Sequence, residues 1–233
     1  MTANPQASPA LIIPALDEEE AIGVTLSRIP RDLYRIILVA DNGSRDRTAE
    51  IARSHGATVV REPERGYGAA CLRAIAALPP DIDIVVFMDA DSSDNPTEAA
   101  RLIEPIAQGR ADLVIGSREL GRAEPGALMP HQRFGNWLAT FLIRLLYGFR
   151  YTDLGPFRAI RRCDLDRLGM RDRNYGWTIE MQVLALKRRL RVEEVPVSYA
   201  RRIGVSKVSG NLGASVRAGI KILWTVFRLT VTG

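Results

Sequence analysis

Cysteine and histidine are scarce in this chain. Cys71 and Cys163 are its only cysteines, and they lie in different segments without metal-ligand spacing. That excludes a disulfide framework and a cysteine-based zinc site, and they read as two reduced, mostly buried thiols of a cytosolic protein. His55 and His131 are the only histidines, too few and too isolated for a histidine zinc centre or a Ser-His-Asp triad. Apolar runs are short. None approaches the roughly eighteen residues of a transmembrane helix. Residues 1–9 have neither a basic nor an apolar region, so they read as a loose tail and not as a signal peptide. Repeats and low-complexity segments are absent. There is no helix-turn-helix signature, zinc finger or RNA-binding aromatic motif, so nucleic acid is not an expected partner.

What is present is an ordinary globular balance: 46% hydrophobic and 25% charged residues over 233 positions, ample for a real core. The net charge of +5 is unevenly spread. Residues 133–233 hold 19 Lys+Arg against 7 Asp+Glu, whereas residues 1–132 hold 13 against 20. A basic half beside an acidic one points to an anionic ligand or surface facing the second half.

Short apolar runs alternate with helical patterns through the first half. Strands are predicted over 10–13, 35–40, 57–60, 82–88 and 112–116, and helices over 18–29, 44–54, 68–78 and 96–108. Strands separated by crossover helices imply an α/β fold with a mostly parallel, doubly wound sheet. In the second half, Phe134, Leu138, Phe141, Leu142, Leu145, Leu146 and Phe149 share one helix face. Strands are predicted over 156–161 and 191–199, with helices over 178–189 and 214–229. No linker interrupts residues 10–233, which are read as one domain with a first half to residue 120 and a completing half over 121–233.

Ligands in such sheets bind outside the carboxyl ends of the strands. The strand Ile84-Val85-Val86-Phe87-Met88 runs directly into Asp89-Ala90-Asp91. Two carboxylates one residue apart at a strand end suit a hard divalent ion that neutralises a diphosphate; the bland alternative is a solvated acidic turn. The second strand ends in Asp41-Asn42-Gly43-Ser44. Asn-Gly signals a turn and Ser44 suits a helix cap, while Asp41 is placed to accept hydrogen bonds from a nucleobase or ribose. The first strand ends in Pro14-Ala15-Leu16-Asp17-Glu18-Glu19-Glu20, acids that also suit a helix N-terminus. Arg65-Gly66-Tyr67-Gly68 precedes a helix, and its glycines permit close backbone approach where an anion would be favoured.

Taken in order, Ile13-Pro14-Ala15-Leu16-Asp17-Glu18, Ala40-Asp41-Asn42-Gly43-Ser44-Arg45-Asp46-Arg47-Thr48, Arg65-Gly66-Tyr67-Gly68-Ala69-Ala70, Met88-Asp89-Ala90-Asp91 and Gly116-Ser117-Arg118 resemble family 2 glycosyltransferases. The second half is similar to the polyprenyl-phosphate sugar synthase branch, the dolichyl-phosphate mannose synthase group. The segments concerned are 152–158, Gly176-Trp177-Thr178-Ile179-Glu180-Met181, Glu194-Val195-Pro196-Val197, Arg201-Arg202 and Ser206-Lys207. The resemblance implies a GT-A, Rossmann-like fold with amphipathic C-terminal helices. It implies nucleotide binding by Pro14, Glu18 and Asp41, with Arg65 and Gly66 at the donor. Asp89 and Asp91 would take Mg2+ or Mn2+ and the donor phosphates. Arg118 would lie near the transferring sugar or acceptor phosphate, Arg201 or Arg202 would meet a phosphate, Lys207 would support that loop, and Glu180 and Gln182 would line the acceptor side. Ala15-Leu16 departs from the Thr-Tyr often found there, so base recognition is expected to differ.

The activity implied is inverting transfer of a hexose from UDP-glucose or GDP-mannose to polyprenyl phosphate, in the cytoplasm or at the cytoplasmic face of a membrane. A phosphate acceptor is already an anion and needs no general base; a hydroxyl acceptor would need a carboxylate. The alternatives are a soluble transferase acting on a small-molecule or saccharide hydroxyl, a nucleotidyltransferase, and a binding module without activity. A nucleotidyltransferase would be expected to carry a basic Gly-rich loop after the first strand, which is lacking. In the last predicted helix, Val216, Ile220, Leu223 and Phe227 form an apolar stripe beside Arg217, Lys221 and Arg228, with Trp224 suited to an interface. Such a stripe ordinarily packs against its own domain, but the basic second half, the apolar face from Phe134 to Phe149 and the resemblance to lipid-phosphate transferases turn the expectation to peripheral contact with an anionic membrane.

Overall fold

The computed structural model describes residues 7–204, 224, 225 and 227–229. Seven strands form one sheet in the order β3-β2-β1-β4-β6-β5-β7. β1 (Pro9–Ala15), β2 (Ile36–Asp41), β3 (Thr58–Arg61) and β4 (Ile84–Phe87) are mutually parallel, joined by α1 (Ile22–Ser27), α2 (Thr48–Ser54) and α3 (Tyr67–Ala76). α4 (Ala99–Ala107) leads to β5 (Leu113–Ala123) and α5 (Pro130–Tyr147). β6 (Arg158–Arg161) then enters antiparallel between β4 and β5, and β7 (Val192–Tyr199) adds parallel to β5 at the edge. The sheet is thus mostly parallel with helices on both faces, the α/β architecture expected.

Each central strand is buried on both faces, which is why it reads as an apolar run and not as an alternation. Ile12, Val85 and Phe87 pack on one face with α3 and α7 (Trp177–Lys187), where the Trp177 ring meets Phe87 edge-on at 6.0 Å. Leu11, Ile13 and Val86 pack on the other with α1 and α4. Register places the functional ends together: Ala15 pairs with Asp41, and Ile12 with Phe87, so Asn42 and Asp89 emerge on opposite sides of the end of β1.

Several boundaries differ from expectation. α1 begins at Ile22 and α2 at Thr48, because the acids before them are engaged between loops, as described below. β5 is longer than predicted and carries an irregularity between Ser117 and Arg122, where it lifts Arg118 out of the ladder. α6 (Arg162–Leu168) is too short to show helical periodicity and was not anticipated. Cys71 is buried but Cys163 is exposed; it sits on that unanticipated helix.

The apolar residues of α5 divide between the core and the surface. Ala139 and Ile143 enter the core, whereas Phe134, Trp137, Phe141 and Leu145 are exposed, Leu145 to 70%. Trp137 stacks on Phe141 at 5.7 Å and lies 5.8 Å from Phe134, so the outward face is a continuous aromatic ladder. Most of the predicted helix 214–229 lies outside the described residues. Of its members, Thr225 and Leu229 are buried, while Trp224 and Phe227 are exposed with rings 6.0 Å apart. No helix among the described residues is long and apolar enough to cross a membrane.

Candidate active site

A cavity of about 410 Å³ opens at the carboxyl ends of β1, β2 and β4. Its lining includes Pro14, Glu18, Arg65, Gly66, Asp89, Asp91 and Arg202. Seven of the anticipated residues, from four separate segments, therefore meet at one place.

The loops behind this wall are tied by acids that sequence reasoning assigned elsewhere. Asp17, at φ 51°, accepts from the Arg45 amide (2.7 Å), and its own amide donates to Ser44 Oγ (3.0 Å). The Glu18 amide donates to Thr48 Oγ1 at 2.8 Å. Ser44 is therefore a link between loops and not a helix cap; Asp46 Oδ1 receives the Thr48 amide instead (3.0 Å). Asp41 is buried, and its Oδ1 accepts the Ser44 amide at 3.1 Å, so this carboxylate shapes the turn. Asn42 contributes more than a turn signal: it accepts from the Gly66 amide (2.7 Å) and donates to the Glu64 carbonyl (2.6 Å), fixing the loop that carries Arg65.

The glycines of that loop serve the chain itself. A Cβ on Gly66 would stand 2.0 Å from the Arg173 carbonyl oxygen, and one on Gly68 1.9 Å from that of Asp172. The Ala69 amide donates to the Arg173 carbonyl at 2.9 Å. The anion expected at this helix start is thus replaced by a backbone carbonyl. The close approach brings Asn174 and Tyr175 into the cavity wall. Both were missed, and no local signal marks them.

After β4, three carboxylates crowd into six residues. Tyr67 donates to Asp89 Oδ1 at 3.1 Å. Burial, followed by repulsion from Asp91, pushes the Asp89 carboxyl up to about 7. Asp94, also missed, receives the Asp89 amide on Oδ2 (3.2 Å), and its buried Oδ1 has no partner among the described residues. Burial and then Asp89 raise the Asp94 carboxyl well above the usual range. The spacing Asp-x-Asp-x-x-Asp was the available clue. Asp91 accepts from the Ser93 amide and hydroxyl on Oδ1 and faces Arg202 with Oδ2 at 3.3 Å. Among the described residues no group of three such side chains is placed to hold a metal, but Asp89 and Asp91, both in the cavity lining, offer hard oxygens to a divalent cation that takes its remaining positions from waters or diphosphate oxygens.

Arg118 stands beside this cluster. Its Nε and Nη2 both reach Asp153 at 2.7 Å, and its guanidinium lies 5.0 Å from the centre of the Tyr199 ring. Burial alone would lower its pKa, but Asp153 holds the charge in place. Asp153 is itself held, its amide donating to Glu194 Oε1 (3.1 Å), which also takes the Thr152 amide and hydroxyl. Glu180 and Gln182, in the segment expected on the acceptor side, are not among the residues that line this cavity. Both are buried braces: Glu180 accepts the Arg171 and Asp172 amides, and Gln182 donates to the Asp153 carbonyl. Of the two candidate arginines, Arg202 enters the cavity, whereas Arg201 turns away to the Glu124 and Pro125 segment. Lys207 lies outside the described residues.

A second cavity of about 560 Å³ lies between α5 and residues 150–152. Trp137 and Phe141 line it together with Arg133, Arg144 and Arg150. Thr152, in its wall, hydrogen-bonds Ser117 Oγ at 2.7 Å, next in sequence to Arg118.

This fold, with its strand-end carboxylates and sheet order, defines a GT-A glycosyltransferase. The glucosyl-3-phosphoglycerate synthase of Mycobacterium tuberculosis, solved with Mn2+, UDP and glucosyl-3-phosphoglycerate, superposes with a TM-score of 0.79 at 23% identity, over 98% of this chain and 81% of that one. Residues 10–169 match the model of glycosyl transferase family 2, and the chain belongs to that family. An uncharacterized glycosyltransferase of M. tuberculosis is 39% identical across 93% of this chain and 96% of its own length. An undecaprenyl-phosphate mannosyltransferase of Micrococcus luteus is 31% identical across 93% and 96%.

Proposed function

We propose that the protein transfers a hexose, with inversion, from UDP-glucose or GDP-mannose to a polyprenyl phosphate at a membrane surface. The observation that carries this reading is the second cavity, where arginines stand beside an exposed aromatic ladder within one residue of the segment that holds Arg118. A phosphate on an apolar chain needs both chemistries at once. A small polar acceptor has no use for Phe134, Trp137 and Phe141 on the outside of a helix. The resemblance to lipid-phosphate transferases supports the same acceptor.

In this reading Pro14, Glu18, Arg65 and Gly66 border the donor nucleotide, and Asp89 with Asp91 hold Mg2+ or Mn2+. The cation supplies positive charge to the departing diphosphate. Arg202 adds a bidentate partner for the same group. Arg118, fixed by Asp153, has its charge already oriented, so little reorganisation would accompany transfer. The acceptor phosphate, with a second pKa of about 6, is ionised near neutral pH and attacks without a general base. Membrane contact through α5, Trp224 and Phe227 would bury aromatic surface at the headgroup level and set basic residues against anionic lipid.

The test presents radiolabelled UDP-glucose and GDP-mannose, with Mn2+, to polyprenyl phosphate in anionic vesicles and, in parallel, to 3-phosphoglycerate. Label is expected in the organic extract, and the protein is expected to float with the vesicles at low salt and to release at high salt. Label found only in the aqueous glycerate product, with no flotation, overturns the lipid reading in favour of a soluble acceptor.

A further inference from the structure

Arg202 occupies an unusual position for a residue whose task is to bind diphosphate. It lies on a strap fixed at both sides to the strand-end turn: the Ala200 amide donates to the Ser93 carbonyl (2.8 Å) and the Ile203 amide to the Asp91 carbonyl (2.9 Å). From there its Nη2 reaches Glu18 Oε1 at 3.0 Å and its Nη1 lies 3.3 Å from Asp91 Oδ2. Its Nε is buried without a partner among the described residues.

The choice of oxygen matters. Asp91 Oδ1 already accepts two donors from Ser93. Oδ2 is therefore the oxygen through which Asp91 has capacity for a cation, and the guanidinium is on it. Asp91 and Glu18 supply two negative charges to one guanidinium. A dication entering alone would meet Arg202 within a few ångströms, and like charges at that range repel. A diphosphate entering with the dication changes the balance, because its oxygens supply negative charge to both the metal and the guanidinium, a group suited to bidentate phosphate contact.

We propose that Arg202 is the resident counter-ion of the metal site and makes metal binding conditional on the donor diphosphate. Without nucleotide it holds Asp91 Oδ2 and Glu18. With nucleotide and metal together it transfers to the diphosphate and yields Asp91 to the metal. The protein then does not retain a bare metal ion, and donor and metal enter as a unit. This rests on the reading that Asp89 and Asp91 hold the metal.

The test is titration of Mn2+ alone, followed by the free-ion paramagnetic signal, and again with UDP or GDP present. Wild-type protein should bind Mn2+ alone weakly and at least tenfold more tightly with a nucleoside diphosphate. Arg202→Met should bind Mn2+ alone at least tenfold more tightly than wild type and gain much less from nucleotide. Arg202→Lys, which keeps charge but loses the fork, should lie between, and it carries the comparison if the methionine variant melts early. Asp91→Asn separates the two levels of the argument. If it abolishes Mn2+ binding while both Arg202 variants bind bare Mn2+ no better than wild type, the counter-ion role fails and the metal site stands. If Asp91→Asn binds Mn2+ like wild type, the metal assignment fails and takes this proposal with it.

Discussion

The two ends of the sheet use the same chemistry to opposite effect. At the amino end of β5, Asp112 is met by Arg191 at 2.6 Å and Arg161 at 2.8 Å. Hydrogen bonds from the Arg191 side chain hold its carboxyl below the ordinary range. At the carboxyl end, Asp89, Asp91 and Asp94 crowd together, and the nearest arginines are partly committed, Arg118 to Asp153 and Arg202 to Glu18. There burial pushes carboxyls up. One end satisfies its charges and is stabilised by them. The other crowds carboxyls whose charged forms burial disfavours, which costs stability and creates demand for a cation. Perturbed carboxylates in a cleft are what a site looks like when affinity for a ligand has been built into the folded state.

The sharpest way to break this comparison is at Asp91. Asp91→Ala is expected to lower transfer by about a thousandfold, equivalent to about 4 kcal/mol of transition-state stabilisation, with a native circular dichroism spectrum. Substantial turnover by this variant would remove the functional half of the contrast. Next comes Arg118→Lys. Lysine cannot reproduce the two parallel contacts to Asp153, so a loss of roughly 10- to 100-fold in kcat is expected, with Asp153→Asn giving a smaller loss in the same direction. Unchanged rates in both would make that pair merely structural.

The smallest effect should come from the opposite end. Asp112→Asn weakens its pairing with Arg191 and Arg161, and because the Arg191 side chain is half exposed only a small loss of stability is expected at neutral pH, with transfer activity unchanged. The sign with pH follows from the depressed carboxyl. The folded state binds this proton less readily than the unfolded chain, so the contribution is present above the unfolded value of about 3.9 and disappears as pH falls below it. Melting curves of wild type and variant should therefore differ at pH 7 and converge in acid. A gap that widens in acid would contradict the assignment.

Much of the fold was legible because buried parallel strands announce themselves as apolar runs, and because ligands gather where such strands end. Asp89 and Asp91 were singled out by that rule, whereas Pro14 and Glu18 were implied by the family resemblance; all four line the cavity. The rest depended on contacts that sequence spacing does not encode. Asp153 reaches Arg118 across 35 residues, and Glu194 reaches Thr152 across 42. Arg201 and Arg202 are equivalent as letters; the backbone bonds of Ala200 and Ile203 decide which one faces the cavity. Gly66 and Gly68 were correctly read as places of close approach, but what approaches is the chain itself. The aromatic face of α5 has the periodicity of a core helix, and only the position of Ala139 and Ile143 shows that it points outward.

The seating of residues 172–175 against α3 has a consequence for how the protein is made. Arg173 pairs with Glu64 at 2.6 Å across 109 positions of chain, and the wall containing Asn174 and Tyr175 is set by that docking. A nascent chain delivers its first four strands to the tunnel exit well before this wall exists. Loop closure over such a distance is among the slower events of folding. Under the proposed function, nucleotide would have no finished pocket to occupy during most of synthesis, and the donor would act on the completed molecule as a late clamp instead of a template for its assembly.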